Sequence, residues 1–210
     1  MILHDFPLAP NPRRVRMFLA EKRIMVPRVQ VDIRDGAQFA EGFRRRNPWS
    51  TVPVLELDDG CCIAESVAIC RYFEERHPEP SLFGRDAREK ARIEMWNRRA
   101  ELDGYVPLAD AVRNRLARFA DRAVAGLPSG FPQIPAVAVR GLERYRLFLE
   151  RLDRRLAERP FLAGERFSIA DITAFVTVEF ANRIDERIPE GHRHLARWHG
   201  EVAARPSAAA

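Results

Sequence analysis

Lysine is almost missing from this chain of 210 residues: only Lys22 and Lys90 occur, so nearly all of its positive charge is arginine. A net charge of +5 could suit a nucleic-acid binder, but the arginines alternate with carboxylates, as in Glu150-Arg-Leu-Asp-Arg-Arg155. That is the pattern of solvated helix faces laced with i,i+4 pairs, and no nucleic-acid partner is expected. Cysteine is scarce too. Cys61, Cys62 and Cys70 contain no C-x-x-C spacing, which argues against a metal site or a redox pair and for reduced thiols. No apolar run approaches the about 18 residues that would span a bilayer, so no membrane partner is expected. The start, Met1-Ile-Leu-His-Asp5, lacks the basic and apolar regions of a secretory signal, and the chain reads as cytoplasmic. Most telling, no Ser, Thr, Tyr or Cys stands anywhere before Ser50. A nucleophile of that kind is excluded from the first strand and helix.

What is present describes a folded chain in two parts. With 46% hydrophobic and 31% charged residues, it can bury a core without disulfides. Over residues 1–79 strand and helix signals alternate. Ile2–Phe6 is a short strand ended by Pro7, and Arg14–Lys22 has helical spacing. Val29, Val31 and Ile33 alternate with polar residues, which predicts a strand with one buried face. Phe39–Arg46 is a short basic helix stopped by Asn47-Pro48. Two apolar runs then flank Asp58-Asp59-Gly60, a hairpin signal, and Glu65–Arg76 is helical again. The order is βαβαββα. Residues 85–210 read as helix throughout, broken by a loop over 126–135 and by Pro160. Ser168, with Asp171 three residues on and Phe167 before it, marks a capped helix start stapled to Ile172. The final Ala208–Ala210 is expected to fray.

Three local signals carry chemistry. Val52-Pro53 opens a strand with a proline, which removes a ladder donor; a cis peptide there would turn the Val52 backbone outward, free to pair with a peptide-like ligand. Glu65-Ser66 stands where a strand hands over to a helix. The free amides and hydroxyl of such a start suit a carboxylate, and Glu65 can accept from an ammonium. Ala9-Pro10-Asn11-Pro12 precedes the first helix, with Asn11 read as N-cap and Pro12 as the first helical residue. An asparagine there keeps amide donors pointing outward.

Taken in order, L-x-x-x-P-N-P-R-R-V-R, N-P-W-S-T-V-P-V-L-x-x-D-D-G, A-E-S-x-A-I-x-x-Y-F and Phe161-Leu-Ala-Gly-Glu-Arg-Phe-Ser-Ile-Ala-Asp171 resemble the glutathione transferase superfamily over essentially the whole chain. The resemblance implies an α/β plus all-α fold: a thioredoxin-like domain over 1–79 followed by an all-helical domain over 85–210. It also implies a cytoplasmic homodimer acting in detoxification, with glutathione as co-substrate and no metal. Val52 and Pro53 would hold the cysteinyl part, and Glu65 and Ser66 the γ-glutamyl end. Asp103 would reach the γ-glutamyl amine of a partner subunit. Ala9 stands where many classes place a hydroxyl or thiol, so the catalytic role passes to Asn11 with the amides of the first helix, similar to the nu-class and fungal relatives that keep Pro-Asn there. Those relatives lean toward peroxide or disulfide reduction beside conjugation. Trp96, Arg99, Tyr105 and Phe180 are the expected lining of the pocket for a small hydrophobic electrophile. Loss of the hydroxyl keeps a second reading open, a non-catalytic glutathione- or protein-binding module of the same fold.

Overall fold

The first domain is built on β1 (Ile2–Asp5), which pairs in parallel with β2 (Arg28–Gln30) and antiparallel with β3 (Val54–Glu56). β3 pairs antiparallel with β4 (Cys62–Ala64), giving the strand order β2-β1-β3-β4. The computed structural model describes residues 1–210. One sheet face, carrying Leu3 and Leu55, packs against Val15 and Phe18 of α1 (Pro10–Glu21) and Ile69 and Phe73 of α3 (Ser66–Arg76). On the other face, Phe43 of α2 (Glu41–Arg46) closes over Phe6, Val31, Val52 and Val54. This is a thioredoxin-like βαβαββα unit. β2 departs from its expected form: it is a short edge strand whose residues are all exposed, because α2 reaches only as far as Val31 beyond its end.

From α3 the chain passes to α4 (Ala87–Arg99), a π-helical turn (Ala100–Tyr105), α5 (Val106–Arg115), α6 (Pro135–Glu158), α7 (Ile169–Ala181) and α8 (Arg193–Ala203). No helix is long and apolar enough to cross a membrane. α7 is apolar almost all round, which suits a central helix. α1, α4 and α8 pack around it, so a single cluster of 35 buried residues runs through both domains. The connection between them is pinned as well. Lys22 pairs with Glu74 at 2.7 Å and donates to the carbonyls of His77 and Pro80, while Glu74 Oε1 accepts from the Leu82 and Phe83 amides.

α7 begins as its sequence predicts. The Asp171 carboxylate accepts the Ser168 N–H and hydroxyl at 3.0 Å each on one oxygen, and the Leu162 N–H and Trp198 Nε1–H at 3.0 Å each on the other. At the far end of the chain the expectation fails. Residues Pro206–Ala209 form a turn docked on α1, where Arg13 donates to the Ala208 carbonyl and Arg205 and Ser207 both donate to Glu21.

α5 and α6 touch through Gly141, where an added Cβ would lie 2.5 Å from the Pro107 carbonyl oxygen. The clash is with backbone, which cannot swing aside. Gly141→Ala should therefore cost about 1–3 kcal/mol, the usual price of overpacking, and lower the thermal midpoint by a few degrees; an unchanged melting curve would show that the two helices can slide apart freely.

Candidate functional site

In the strand register His4 of β1 lies opposite Val54 of β3, and Val54 opposite Ala64 of β4. The exit of β1, the approach to β3 and the exit of β4 therefore meet at one end of the sheet. α1 and α3 both begin there, so two helix N-termini point toward the same space. Val52 and Pro53 lie between them, joined by a cis peptide. The Val52 side chain is buried under α2, but neither its N–H nor its C=O bonds to any backbone group of the chain.

The two helix starts are unequal as donors. α3 opens with Ser66, Val67 and Ala68, whose N–H groups have no intrahelical acceptor, since the first such bond is Ile69 N–H to the Glu65 carbonyl at 3.0 Å. Glu65, at the N-cap, holds φ 68 and ψ 121. A β-branched-free but bulky residue gains nothing locally from that backbone region, and such outliers persist where the surroundings require them. α1 begins earlier than its sequence suggests: Ala9 is the N-cap and Pro10 the first helical residue, so Asn11 lies inside the first turn and does not cap it. The turn before it decides this, because Ala9 N–H is bound to the Phe6 carbonyl at 3.0 Å and the Leu8 and Pro7 carbonyls are held by Arg183 and Arg16. Pro10 and Pro12 have no N–H, and the Arg13 N–H is taken by Ala9 at 3.3 Å. Asn11 thus owns the only free backbone donor in the first turn.

Behind Asn11 is a polar group that sequence reasoning missed. Arg14, 1% exposed, stacks over the Tyr105 ring at 4.4 Å and reaches Glu101 with Nη1 at 3.4 Å, while its Nε and Nη2 have no partner. Asn11 lies beside the Tyr105 hydroxyl, and its own Oδ1 is buried without a donor. Burial pushes the Tyr105 phenol above its ordinary range, against the pull of Arg14, Arg113 and Asn11. The signal was available: Arg14 shares the inward stripe of α1 with Val15, Phe18 and Leu19, where a solvated arginine has no place.

Of the four residues expected around an electrophile, two are brought together. Tyr105 and Phe180 meet with ring centroids 6.1 Å apart. Phe180 lines a cavity of about 290 Å³ with Ala9, Pro10, Arg13 and Arg183, closed on one side by Ala208–Ala210. Trp96 and Arg99 are elsewhere: they stack on each other at 4.9 Å, and Arg155 of α6 covers the same indole at 5.0 Å. Asp103 sits 3.9 Å from both Arg144 and Arg151. Arg46, one of the basic residues before β3, is committed to Glu56 at 2.7 Å. Burial raises the thiols of Cys62 and, fully enclosed, Cys70, so neither is primed as a nucleophile.

A thioredoxin-like domain with an unpaired Val52 backbone between two helix starts, sharing its core with a helical bundle, defines a two-domain protein. Residues 9–76 match the glutathione S-transferase N-terminal domain and residues 109–201 the glutathione S-transferase C-terminal domain. The chain is 36% identical to glutathione S-transferase 2 of Saccharomyces cerevisiae, covering 99% of this chain and 87% of that protein. It is 31% identical to FtsZ-localized protein A of Caulobacter vibrioides over 97% of this chain and 87% of the relative. The crystal structure of a glutathione S-transferase domain-containing protein from Marinobacter aquaeolei superposes with a TM-score of 0.88 at 40% identity, covering 99% of each chain. The protein belongs to the glutathione S-transferase family.

Proposed function

We propose that the protein is a glutathione transferase, lowering the thiol pKa of bound glutathione and presenting the thiolate to an electrophilic carbon, a peroxide oxygen or a disulfide sulfur. One observation carries the reading: the unpaired Val52 backbone and the starts of α1 and α3 share one end of the sheet. The Ser66–Ala68 amides with the Ser66 hydroxyl suit the γ-glutamyl carboxylate, and Glu65 the ammonium. Val52 pairs with the cysteinyl peptide. The sulfur then lies at α1, within reach of the Asn11 N–H and side-chain amide, in a helix dipole that favours the anion. In conjugation the thiol proton leaves to solvent, the C–S bond forms, and the leaving group departs with its electron pair. In disulfide reduction the thiolate attacks one sulfur and expels the other as thiolate.

A homodimer is part of this proposal, supported by Met95 and Leu102, which stand exposed on α4 and the turn that follows it. A second reading, a glutathione- or protein-binding module without turnover, is favoured by Ala9 in the hydroxyl position and by the relative named for localisation to FtsZ. Turnover separates the two. The purified protein with glutathione should convert at least one of an aryl halide, an organic hydroperoxide or a small disulfide well above the uncatalysed rate; glutathione binding without turnover of any of them would select the second reading.

A further inference from the structure

No glycine of the chain is more closely confined than Gly126: at φ 77, a Cβ there would lie 2.2 Å from the Trp49 carbonyl oxygen and 3.5 Å from Thr51 Cγ2. The contact joins the two domains. Gly126 belongs to the loop between α5 and α6, whose base is tied to the helical domain: Gln133 donates to the Arg113 and Leu116 carbonyls at 2.7 and 2.9 Å, and Asn114 accepts the Ile134 N–H at 2.8 Å. A neck follows, where the Ala123 N–H meets the Phe131 carbonyl and the Gly130 N–H the Asp121 carboxylate, each at 2.9 Å. Beyond it, residues 124–129 form a tip that makes no backbone hydrogen bond, and Val124 and Leu127 stand exposed, so neither a ladder nor an apolar core holds it. The tip's footing is the first domain. Arg122, at the neck, lies over the Phe39 ring of the same domain at 5.6 Å.

What Gly126 rests on leads straight into the ligand-pairing backbone. The buried Asn47 organises that turn: its Oδ1 accepts the Trp49 N–H at 3.1 Å, its carbonyl accepts the Ser50 N–H at 2.9 Å, and its Nδ2 donates to the Thr51 carbonyl and hydroxyl at 2.9 and 3.0 Å. Ser50 holds φ 53, a backbone region that a serine keeps where its surroundings require it. These bonds fix the turn within itself, and Gly126 fixes where it sits against the helical domain. Val52 comes next in the chain with its N–H and C=O unpaired, so any shift of the turn carries those two groups with it. Resting on the transferase reading above, we propose that Gly126 is a positioning residue for the glutathione site. The tip of the helical-domain loop holds Trp49–Thr51, and with it the Val52 backbone, where the cysteinyl peptide pairs.

The test matches two glycines of one loop. Gly126→Ala adds a methyl group where backbone stands 2.2 Å away, so tip and turn must part by about 1 Å, a displacement that costs up to about 100-fold at a binding geometry. The Kd for glutathione, read by calorimetry, should rise about 10-fold or more, while the pH midpoint of the bound thiolate stays in place because Asn11 and α1 are untouched. Gly130→Ala is the control: φ 85 imposes the same backbone strain, but nothing lies within 4 Å of the added Cβ, and affinity should match the wild type. Gly126→Asn, which tolerates that backbone region but keeps the Cβ, should weaken binding as alanine does. The proposal is overturned if Gly126→Ala binds like the wild type, or if Gly130→Ala weakens binding as much or Gly126→Asn restores it, since loop strain would then be the cause. Linkage supplies a measurement that needs no variant, and it decides the matter should Gly126→Ala not fold. Glutathione bound to the wild type should slow hydrogen exchange at the Ala123, Gly130 and Phe131 amides by up to about the same 10-fold. Exchange unchanged with glutathione bound overturns the role of the loop and leaves the transferase reading standing; a wild type that binds no glutathione overturns that reading itself.

Discussion

Asn11→Ala should raise the pH midpoint of thiolate formation in bound glutathione by about one to two units, and cut the rate near pH 6.5 roughly 10- to 100-fold. A free cysteine thiol ionises near pH 8.5, and lowering that by two units takes about 2.7 kcal/mol. The dipole at a helix start supplies ~0.3–1 kcal/mol, up to ~2 when partly buried. Here the backbone contribution is thin, because Pro10 and Pro12 leave Asn11 as the sole free amide of the first turn. The Asn11 side chain must then carry much of the difference, at ~1.5–3 kcal/mol for a bond to a charged group. The sign is fixed: a lowered thiol pKa gives activity present above the midpoint and lost as pH falls through it. The variant should therefore be slow at low pH and approach the wild type above pH ~8.5. Asn11→Pro, which also removes the last backbone donor, should move the midpoint further. Ultraviolet absorbance of the bound thiolate against pH gives the number directly. If Asn11→Ala leaves the midpoint where it was, Asn11 does not hold the sulfur.

The second large effect is on folding. Asp171→Ala strands the Leu162, Ser168 and Trp198 N–H groups and the Ser168 hydroxyl, all in the core, and should cost about 3–5 kcal/mol, a large part of a typical domain's stability. Urea unfolding followed by circular dichroism would show it, and a loss under 1 kcal/mol would mean the donors find other acceptors. Burial pushes the Asp171 carboxyl up to about 6, against its four donors, whereas an unfolded aspartate titrates near 3.9. Between those values the native chain holds more protons than the unfolded one. The stabilisation from this group is complete below pH ~4 and is lost as pH rises through about 6. Comparing wild type with Asp171→Asn from pH 4 to 7 isolates the slope. A flat difference would show that the four donors cancel the burial.

Where a signal is local, the sequence is readable. Ser168 and Asp171 announce a helix start within a few residues, and Glu65-Ser66 marks the passage from strand to helix, because both depend on near neighbours alone. Pro-Asn-Pro is ambiguous: proline suits the first helical position at residue 10 as well as at residue 12, and the choice falls to Arg16 of the same helix and to the remote Arg183, which fix the preceding turn. Nothing near Trp96 and Arg99 in the sequence points to Arg155, which folding brings from far along the chain to cover the same ring. Arg14 is legible by its place on the apolar stripe of α1, whereas its partner Glu101, 87 residues on, meets it only through the fold. In a chain so rich in arginine, only the fold shows which of them meet a carboxylate.

Lys22 and Glu74 grip the segment that leads from one domain to the next, and the buried core continues across the same boundary. Neither half can loosen by itself. Heating should therefore give one sharp transition, and a tripeptide seated at the sheet end should protect α8 from hydrogen exchange although it touches nothing there.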